Sequence, residues 1–439
     1  MLFKDITIIN EYMKVQEHMY VGVQDKHITY LSDVPPEDES VFGRIYDGTH
    51  KLLSPAFYNS HSHSAMYLLR GYGENLPLHD WLHTKMFPFE GQLTVDDVYT
   101  GTMASVAEML RFGIVSTNDM YRHGEGMSRA FYESGVKANI ARGIICSDPN
   151  TEYKDTPEYR VTMKLKKQYA ATQSDRIKVV FGIHAEYTNS PKIIKGVAQA
   201  AKEDNDRIHI HVAETANEVI ECKKRNRGRT PVKFLQDCGV FDVPCTAAHC
   251  VHLSEHDISI LKRHKVIVAS CPKSNLKLGS GFLPVHKLRD AGITIALGAD
   301  SAASNNNLNM LEEAKIYALI HKGITGDPTL ITPGQAWYSA TRAGALAQGR
   351  EDCGIIKKGY RADMIVFDTY KPHMYPRHNM LTNLLYSASG SDICMTMVDG
   401  KILYEDHNFP EMDIKYIIRK SNEACRRIIQ ELTEKGEYR

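Results

Sequence analysis

Short apolar runs and amphipathic stretches alternate along most of this chain of 439 residues. Between Leu52 and Gly349 one apolar run followed by one helical stretch recurs about eight times. Strands that alternate with helices pair in parallel, and eight such units close into a barrel. We therefore predict an α/β fold, a (β/α)₈ TIM barrel, with its active site at the carboxyl ends of the strands.

The same periodicity gives the limits of the predicted elements. The predicted barrel strands are residues 53–59, 114–120, 138–146, 177–183, 208–212, 245–248, 266–270 and 294–299. The clearest predicted helices are residues 95–111, 190–202, 255–263 and 309–321.

Both chain ends have a different pattern, in which short β-type runs are separated by turn residues. We predict that residues 1–52 and 354–410 form one small β-sandwich domain and that residues 53–353 form the barrel. Apolar residues at helical spacing between 413 and 435 predict that residues 411–439 contain a docked amphipathic helix.

Composition and charge exclude several classes of protein. The chain is 43% hydrophobic and 24% charged, as ordinary globular proteins are, and 53 basic residues balance 53 acidic ones. We therefore expect no nucleic-acid partner and no membrane partner. The start MLFKDITIIN has no apolar signal segment, and nine cysteines without a C-x-x-C pair indicate free thiols. We predict a cytoplasmic protein with a small-molecule substrate and leave open whether it is a homo-oligomer.

Two H-x-H pairs are the first candidates for chemistry. His61 and His63 end the first predicted barrel strand, and His209 and His211 end the fifth. Residues at i and i+2 of a strand point to the same face, so each pair could bind one ion. Twenty histidines produce roughly one such pair by chance, so the spacing alone is a weak signal.

The position of these residues in the predicted barrel strengthens the signal. His249 and Asp300 end the sixth and eighth predicted strands, and Glu214 follows the fifth. Three imidazoles with a carboxylate suit one divalent ion, Zn²⁺ or Fe²⁺, with a position open to water. Such an ion lowers the pKa of bound water toward about 7, so we predict hydrolytic chemistry. His184 stands where a second ion would need a ligand, which favours a single metal.

Several segments resemble the amidohydrolase superfamily and, within it, the 5′-methylthioadenosine/S-adenosylhomocysteine deaminases and related chlorohydrolases. They are NSHSH at 59–63, LRG at 69–71, LPL at 76–78, AHCV at 248–251, PKSNLKLG at 272–279 and LGAD at 297–300. Together these segments span the predicted barrel and are specific for the superfamily.

This resemblance implies roles for the strand-end residues. The implied metal ligands are His61, His63, His211 and Asp300. Zinc is the first choice and iron the second. Glu214 and His249 would be the acid/base pair, with Asp300 helping to orient the water. Hydroxide would attack C6 of a purine while Glu214 carries a proton to ring N1 and then to the departing amine.

The resemblance also implies contacts to an adenosine-type nucleoside such as S-adenosylhomocysteine, 5′-methylthioadenosine or adenosine. Glu90 would bind ribose hydroxyls and His184 the purine edge, and Arg142 with Arg160 would bind an amino-acid carboxylate. Trp81 would stack on the purine or line the core, and Arg160 has the alternative of an exposed helix charge.

Alternatives remain open at this point. The same chemistry could act on guanine, a pterin or a triazine, and a metal-loaded barrel could bind a ligand without turnover. Glu186 and Ser301 depart from the family pattern and leave the identity of the base open. We expect His209 to support the site from behind rather than to bind metal, and we expect neither Cys250 nor Cys271 to act as a nucleophile.

Overall fold

The structure is a computed structural model that describes residues 1–438. Chain contacts divide it into two compact units, one of residues 1–59, 107–116 and 309–412, and one of residues 60–106, 117–308 and 413 onward. The domain limits predicted from the sequence, 1–52 with 354–410, 53–353 and 411–439, stay a prediction, and residue 439 lies outside the described residues.

Eight parallel strands form one sheet and follow one another in chain order. They are Phe57–Ser62, Ile114–Met120, Lys137–Ile144, Ile177–Ile183, Ile208–Val212, Cys245–His249, Ile267–Ser270 and Ile295–Leu297, here called the first to eighth barrel strands. A bridge between Ser62 and Asp300 joins the two ends of the sheet, and the Asp300 N–H donates to the carbonyl of His61 at 2.9 Å. The predicted (β/α)₈ barrel is confirmed.

Helices follow or connect the barrel strands as the sequence predicted. They are Val95–Arg111, Gly124–Ser134, Pro157–Ala170, Pro191–Glu203, Ala216–Arg225, Pro231–Asp237, Glu255–Arg263, Pro272–Lys277, Val285–Asp290 and Met310–Thr325. Two predicted helices began one residue early, at Ser190 and Asn309. Each of these residues is the N-cap, whose side chain accepts a backbone N–H of the first turn.

The first predicted strand, residues 53–59, is two strands in the structure. Lys51–Pro55 belongs to a second sheet, and Phe57–Ser62 begins the barrel. The pairing changes at Ala56, whose N–H donates to the Asp363 carbonyl, whereas the next N–H donates to the Gly113 carbonyl. Pro55 stands directly before this change of partner, and a proline within a strand pattern marks a strand end or an edge, so the boundary had a signal in the sequence that the apolar periodicity alone did not use.

The second sheet is mixed and draws on both chain ends. Its strands are Leu2–Ile9, Val15–Gln24, His27–Ser32, Ile45–Asp47, Lys51–Pro55, Met364–Asp368, Ile393–Val398 and Lys401–Glu405. Leu53 and Val366 pack with Phe3, Ile8 and Met395 in its apolar core. The helices Pro333–Ala340, Arg342–Ala347 and Met380–Tyr386 belong to the same unit.

The predicted C-terminal helix is present as Ile414–Glu434, with Asp413 as its N-cap. Its buried face includes Ile417, Ile428 and Leu432. Arg427 on this helix forms an ion pair with Asp97. Within residues 1–438, no helix has both the length and the apolar character needed to cross a bilayer.

Candidate metal and acid–base site

The ends of the first, fifth and eighth barrel strands bring four predicted metal ligands together. The Nε2 atoms of His61 and His63 lie 3.4 and 3.3 Å from Asp300 Oδ1. His211 Nε2 lies 3.2 Å from His63 Nε2. One candidate ligand atom from each of the three histidines falls within 4.8 Å of the others. We call these four side chains the strand-end cluster.

Backbone carbonyls fix the orientation of two of the three rings. His63 Nδ1 donates to the Met120 carbonyl at 2.5 Å, and His211 Nδ1 donates to the His184 carbonyl at 2.6 Å. Because a carbonyl only accepts, each Nδ1 carries the proton and each Nε2 presents a lone pair. Two lone pairs 3.2 Å apart repel each other unless a cation lies near both, so the arrangement fits a divalent metal ion.

The protonation states agree with this fit. Burial lowers the pKa of His61 to about 3 and holds the pKa of His211 well below its ordinary value. Burial alone would raise the pKa of Asp300, but its bond to His61 and the nearby imidazoles hold that pKa well below the usual range. Neutral imidazoles and an ionised carboxylate are a donor set that divalent transition metals prefer.

His209 lies behind the cluster, where the sequence placed it. Its Nε2 is 2.7 Å from His61 Nδ1, and the two rings are stacked. A metal-binding imidazole commonly uses its second nitrogen for such a contact, which sets the ring orientation.

Hydroxyl groups hold the far side of the Asp300 carboxylate. Ser274 Oγ and Ser304 Oγ donate to its Oδ2 at 2.6 and 2.8 Å, which leaves Oδ1 to face the histidines. Ser301 is the N-cap of the short helix Ala302–Asn305, and its Oγ accepts the Ser304 N–H at 3.0 Å. The role of Ser301 is thus to hold Ser304 in place. The sequence analysis missed Ser304 because its contact depends on this turn.

Glu214 and His249 face each other beside the cluster. Their Oε2 and Nε2 atoms are 3.8 Å apart, and His249 Nδ1 donates to Asn275 Oδ1 at 2.8 Å. Burial raises the pKa of Glu214. Burial opposes protonation of His249, but Glu214 and Asp300 outweigh it and raise the pKa of His249. A buried carboxylate that holds a proton easily, next to a histidine, is suited to proton transfer.

The backbone at this end of the barrel adopts an uncommon conformation. Ala213, His249, Cys250 and Asp300 have φ values of 49, 69, 53 and 57°. This left-handed region costs an ordinary residue about 1 kcal/mol or more, so surrounding contacts must maintain it. One such contact comes from Glu218, whose carboxylate accepts the backbone N–H groups of Ala213 and Glu214. The sequence analysis overlooked Glu218, although Thr215 and Glu218 have the spacing of a helix-capping box.

A cavity of about 480 Å³ opens beside the cluster. Four of the five predicted substrate-binding residues line it: Trp81, Glu90, Arg142 and His184. The structure does not bring the fifth, Arg160, to the cavity. Arg160 lies exposed on the helix Pro157–Ala170, and its Nη1 donates to the Asp155 carbonyl at 2.8 Å. Arg160 thus has the position that the sequence analysis gave as its alternative, an exposed charge on a helix.

The cavity lining also carries two pairs of opposite charge. Arg142 Nη2 donates to Glu158 Oε1 at 3.1 Å, and Arg122 Nη2 lies 3.8 Å from Glu90 Oε2. Burial raises the pKa of Glu90, against the effect of Arg122. The sequence analysis identified neither Arg122 nor Glu158. With Trp81, these four residues form what we call the distal wall.

Individual atoms of the wall indicate what it can bind. Arg142 lines the cavity, where its guanidinium could donate to an anionic group of a ligand, and within residues 1–438 its Nε is buried without a hydrogen-bond partner. Trp81 Nε1 donates to the Gly73 carbonyl at 3.0 Å, which fixes the indole as a flat apolar surface. Burial lowers the pKa of His184 to about 4, so this ring at the cavity is neutral.

Glu186 lies away from the acid–base pair. Arg225 and Asn226 each donate to its carboxylate at 2.7 Å, and the cavity lining does not include it. Glu214 is therefore the carboxylate that faces His249. Burial holds the pKa of the Cys250 thiol well above its ordinary value, which is unfavourable for a nucleophile. All nine cysteines are free thiols.

Comparison with known proteins gives the family. The model of the family described as "Amidohydrolase family" matches residues 52–403. This chain belongs to the amidohydrolase family. The membership predicted from the strand-end motifs is confirmed.

Similar members of the amidohydrolase family cover nearly the whole chain. One, named 5-methylthioadenosine/S-adenosylhomocysteine deaminase, from Thermoanaerobacter pseudethanolicus, is 38% identical over 98% of this chain and 99% of its own. Another of the same name, from Pelotomaculum thermopropionicum, is 40% identical over 88% of each chain. The crystal structure of an adenosine deaminase from Xanthomonas campestris with bound zinc superposes with a TM-score of 0.90 and 28% identity, over 97% of this chain and 98% of that one.

Proposed function

We propose that this amidohydrolase is a zinc-dependent aminohydrolase that removes the 6-amino group of an adenosine-type nucleoside and releases ammonia. The observation that carries the proposal is the presence of the strand-end cluster and the Glu214–His249 pair at one cavity. The names of the similar proteins support the reaction type, and the zinc in the adenosine deaminase structure supports the choice of metal.

Four residues would hold the metal ion: His61, His63, His211 and Asp300. The ion would supply a water molecule acidic enough to act as a nucleophile near neutral pH. Asp300 is ionised and its Oδ1 points at this centre, so it can orient the water through its free lone pairs. Asn275 holds His249 with Nε2 directed toward Glu214, so the imidazole can hold the water from the other side.

Glu214 would move the protons. Its carboxylate takes a proton from the attacking water and passes it to ring N1 as oxygen bonds to C6. The raised pKa of Glu214 favours its protonated form at this stage. Glu214 would then carry the remaining proton from the new C6 hydroxyl to the amino group, so that the C6–N bond breaks, ammonia leaves and C6 keeps the oxygen as a carbonyl. Both steps require Glu214 to stay within hydrogen-bond reach of the purine.

The distal wall, together with His184, would bind the rest of the nucleoside. Glu90 is held near Arg122 and can accept from ribose hydroxyls, while the neutral His184 can bond to the purine edge. The guanidinium of Arg142, which lines the cavity, can donate to the carboxylate of an amino-acid tail such as that of S-adenosylhomocysteine. S-Adenosylhomocysteine and 5′-methylthioadenosine are therefore the substrates we propose first. A cytosolic location stays a prediction, and the oligomeric state stays open.

The test is a panel assay of ammonia release combined with metal analysis of the purified protein. We expect turnover of S-adenosylhomocysteine, 5′-methylthioadenosine or adenosine, no turnover of guanine, pterins or triazines, and zinc as the bound metal. Activity on free bases with none on nucleosides would overturn the substrate assignment. Iron in active protein would overturn the choice of metal and leave the reaction intact.

A further inference from the structure

Glu218 places a buried carboxylate directly behind the proposed proton carrier. It is the third residue of the helix Ala216–Arg225 and is 7% exposed. Its Oε1 accepts the N–H of Ala213, and its Oε2 accepts the N–H of Glu214, both at 2.8 Å. Both oxygens of one side chain thus bind two consecutive peptide groups.

These contacts differ from those of an ordinary helix cap. In a capping box, the third helical residue binds the N–H of the N-cap residue, which here is Thr215. Glu218 instead binds the N–H groups one and two residues earlier. Thr215 performs the capping itself, because its Oγ accepts the Glu218 N–H at 3.1 Å. The carboxylate of Glu218 therefore serves the turn that precedes the helix.

That turn determines where the Glu214 side chain points. The fifth barrel strand ends at Val212, and Ala213 then takes a left-handed φ of 49°. The carbonyls of Val212 and Ala213 accept the N–H groups of Cys250 and His252 at 2.9 and 3.0 Å. The backbone just after the sixth barrel strand thus holds the carbonyls of the turn, and Glu218 holds its N–H groups.

Loss of this carboxylate would leave two N–H groups without their acceptors. Buried N–H groups need acceptors, and a charged acceptor forms a stronger bond than a neutral one. A left-handed alanine persists only where its surroundings determine it fully. Without Glu218 the turn can relax, and Glu214 then loses its direction toward His249.

We propose that Glu218 is a positioning residue that holds the Glu214 carboxylate in line for proton transfer. The part of this inference that concerns turnover depends on the proposed deaminase function. Glu218 does not line the cavity, so the inference assigns it no contact with substrate.

Two variants at Glu218 should lower kcat to different extents. Glu218→Gln keeps one carbonyl acceptor and loses the other, whereas Glu218→Ala loses both. With 5′-methylthioadenosine as substrate, we expect kcat to fall about tenfold for the first and about 100-fold for the second, because small misplacements of a reacting group have effects of this size. KM should stay within about twofold and zinc content should not change, since the cluster and the distal wall are intact.

Glu221→Gln is the matched control. Glu221 lies on the same helix, is partly exposed, and pairs with Lys224. This control should match wild type in kcat and KM. A rise in KM without a fall in kcat, or a loss of zinc that parallels the loss of activity, would overturn the inference for Glu218.

Hydrogen–deuterium exchange gives a second measurement that does not need turnover. Amide protons of Ala213 and Glu214 should exchange at least about tenfold faster in Glu218→Ala than in wild type or in Glu221→Gln, since their acceptor is gone. Unchanged exchange would overturn the inference. If wild type releases no ammonia from the nucleosides, the proposed function fails, and exchange at these two amides still decides the role of Glu218 in holding the turn.

Discussion

The strand-end cluster and the distal wall share one cavity but are held by different kinds of contact. In the cluster, backbone carbonyls hold His63 and His211, and two serine hydroxyls hold Asp300. In the distal wall, charged side chains such as Arg142 and Glu158 contact each other. Backbone carbonyls and short serine side chains leave the cluster few alternatives, whereas the long charged side chains of the distal wall have many rotamers and can change partners when a ligand binds. If the proposed function holds, this difference predicts that the barrel fixes the chemistry and that the side chains of the distal wall set the substrate preference.

The largest effect is expected from the cluster itself. In His211→Ala the Nε2 ligand is lost, so metal content should fall well below one ion per chain and ammonia release should fall with it. Elemental analysis of the purified protein measures this directly. The control is His256→Ala, at an exposed position of the helix Glu255–Arg263. Full metal occupancy in His211→Ala would contradict the ligand set.

Glu214→Gln comes next and separates proton transfer from metal binding. Glutamine keeps the size of the side chain but cannot carry a proton, so kcat should fall about 1,000-fold. Metal content should equal that of wild type, because Glu214 faces His249 rather than the centre of the cluster. The measurement is steady-state ammonia release alongside metal analysis. Turnover within about tenfold of wild type would refute Glu214 as the proton carrier.

A smaller and selective effect is expected in the distal wall. Arg142→Met removes the donors proposed for a carboxylate tail, so kcat/KM for S-adenosylhomocysteine should fall about tenfold or more. For 5′-methylthioadenosine, which has no carboxylate, the change should stay within about threefold. The ratio of the two kcat/KM values is the quantity to compare. An equal loss for both substrates would assign Arg142 a structural role instead.

Arg160→Met should have the smallest effect, within about twofold for both substrates. The structure places Arg160 in solvent and on the Asp155 carbonyl, where it contacts neither the cavity nor the cluster. It also serves as the matched control for Arg142→Met. If Arg160→Met reduces S-adenosylhomocysteine turnover as strongly as Arg142→Met, the helix Pro157–Ala170 must move when substrate binds.

The strand-end cluster was predictable because barrel geometry turns strand order into position. Once a histidine or aspartate stands at the end of a parallel strand, the register of the sheet brings it to a common rim. The barrel and its main helices were predictable because the spacing of apolar residues distinguishes strands from helices. His61 and Asp300 are distant in sequence, yet one β-bridge makes their segments neighbours.

The distal wall was predictable only in part, because it depends on tertiary contacts of long side chains. Resemblance alone pointed to Glu90 and Arg142, and neither periodicity nor spacing indicated Arg122 as a neighbour of Glu90. For Arg160 the sequence left two positions open, near a substrate carboxylate or exposed on a helix, because a resemblance does not fix the direction of a long side chain. Glu218 carried a signal in its spacing from Thr215, but its actual bonds, to the N–H groups of Ala213 and Glu214, require the folded turn.

The left-handed residues at the rim limit how the site can be redesigned. Branched or bulky amino acids at Ala213 or Cys250 would be strained in the left-handed conformation, so substitutions at these positions should destabilise the site. Diversity introduced at Trp81 or Arg142 meets no such barrier. Efforts to change the substrate preference of this barrel should therefore alter the distal wall and keep the residues with left-handed backbone unchanged.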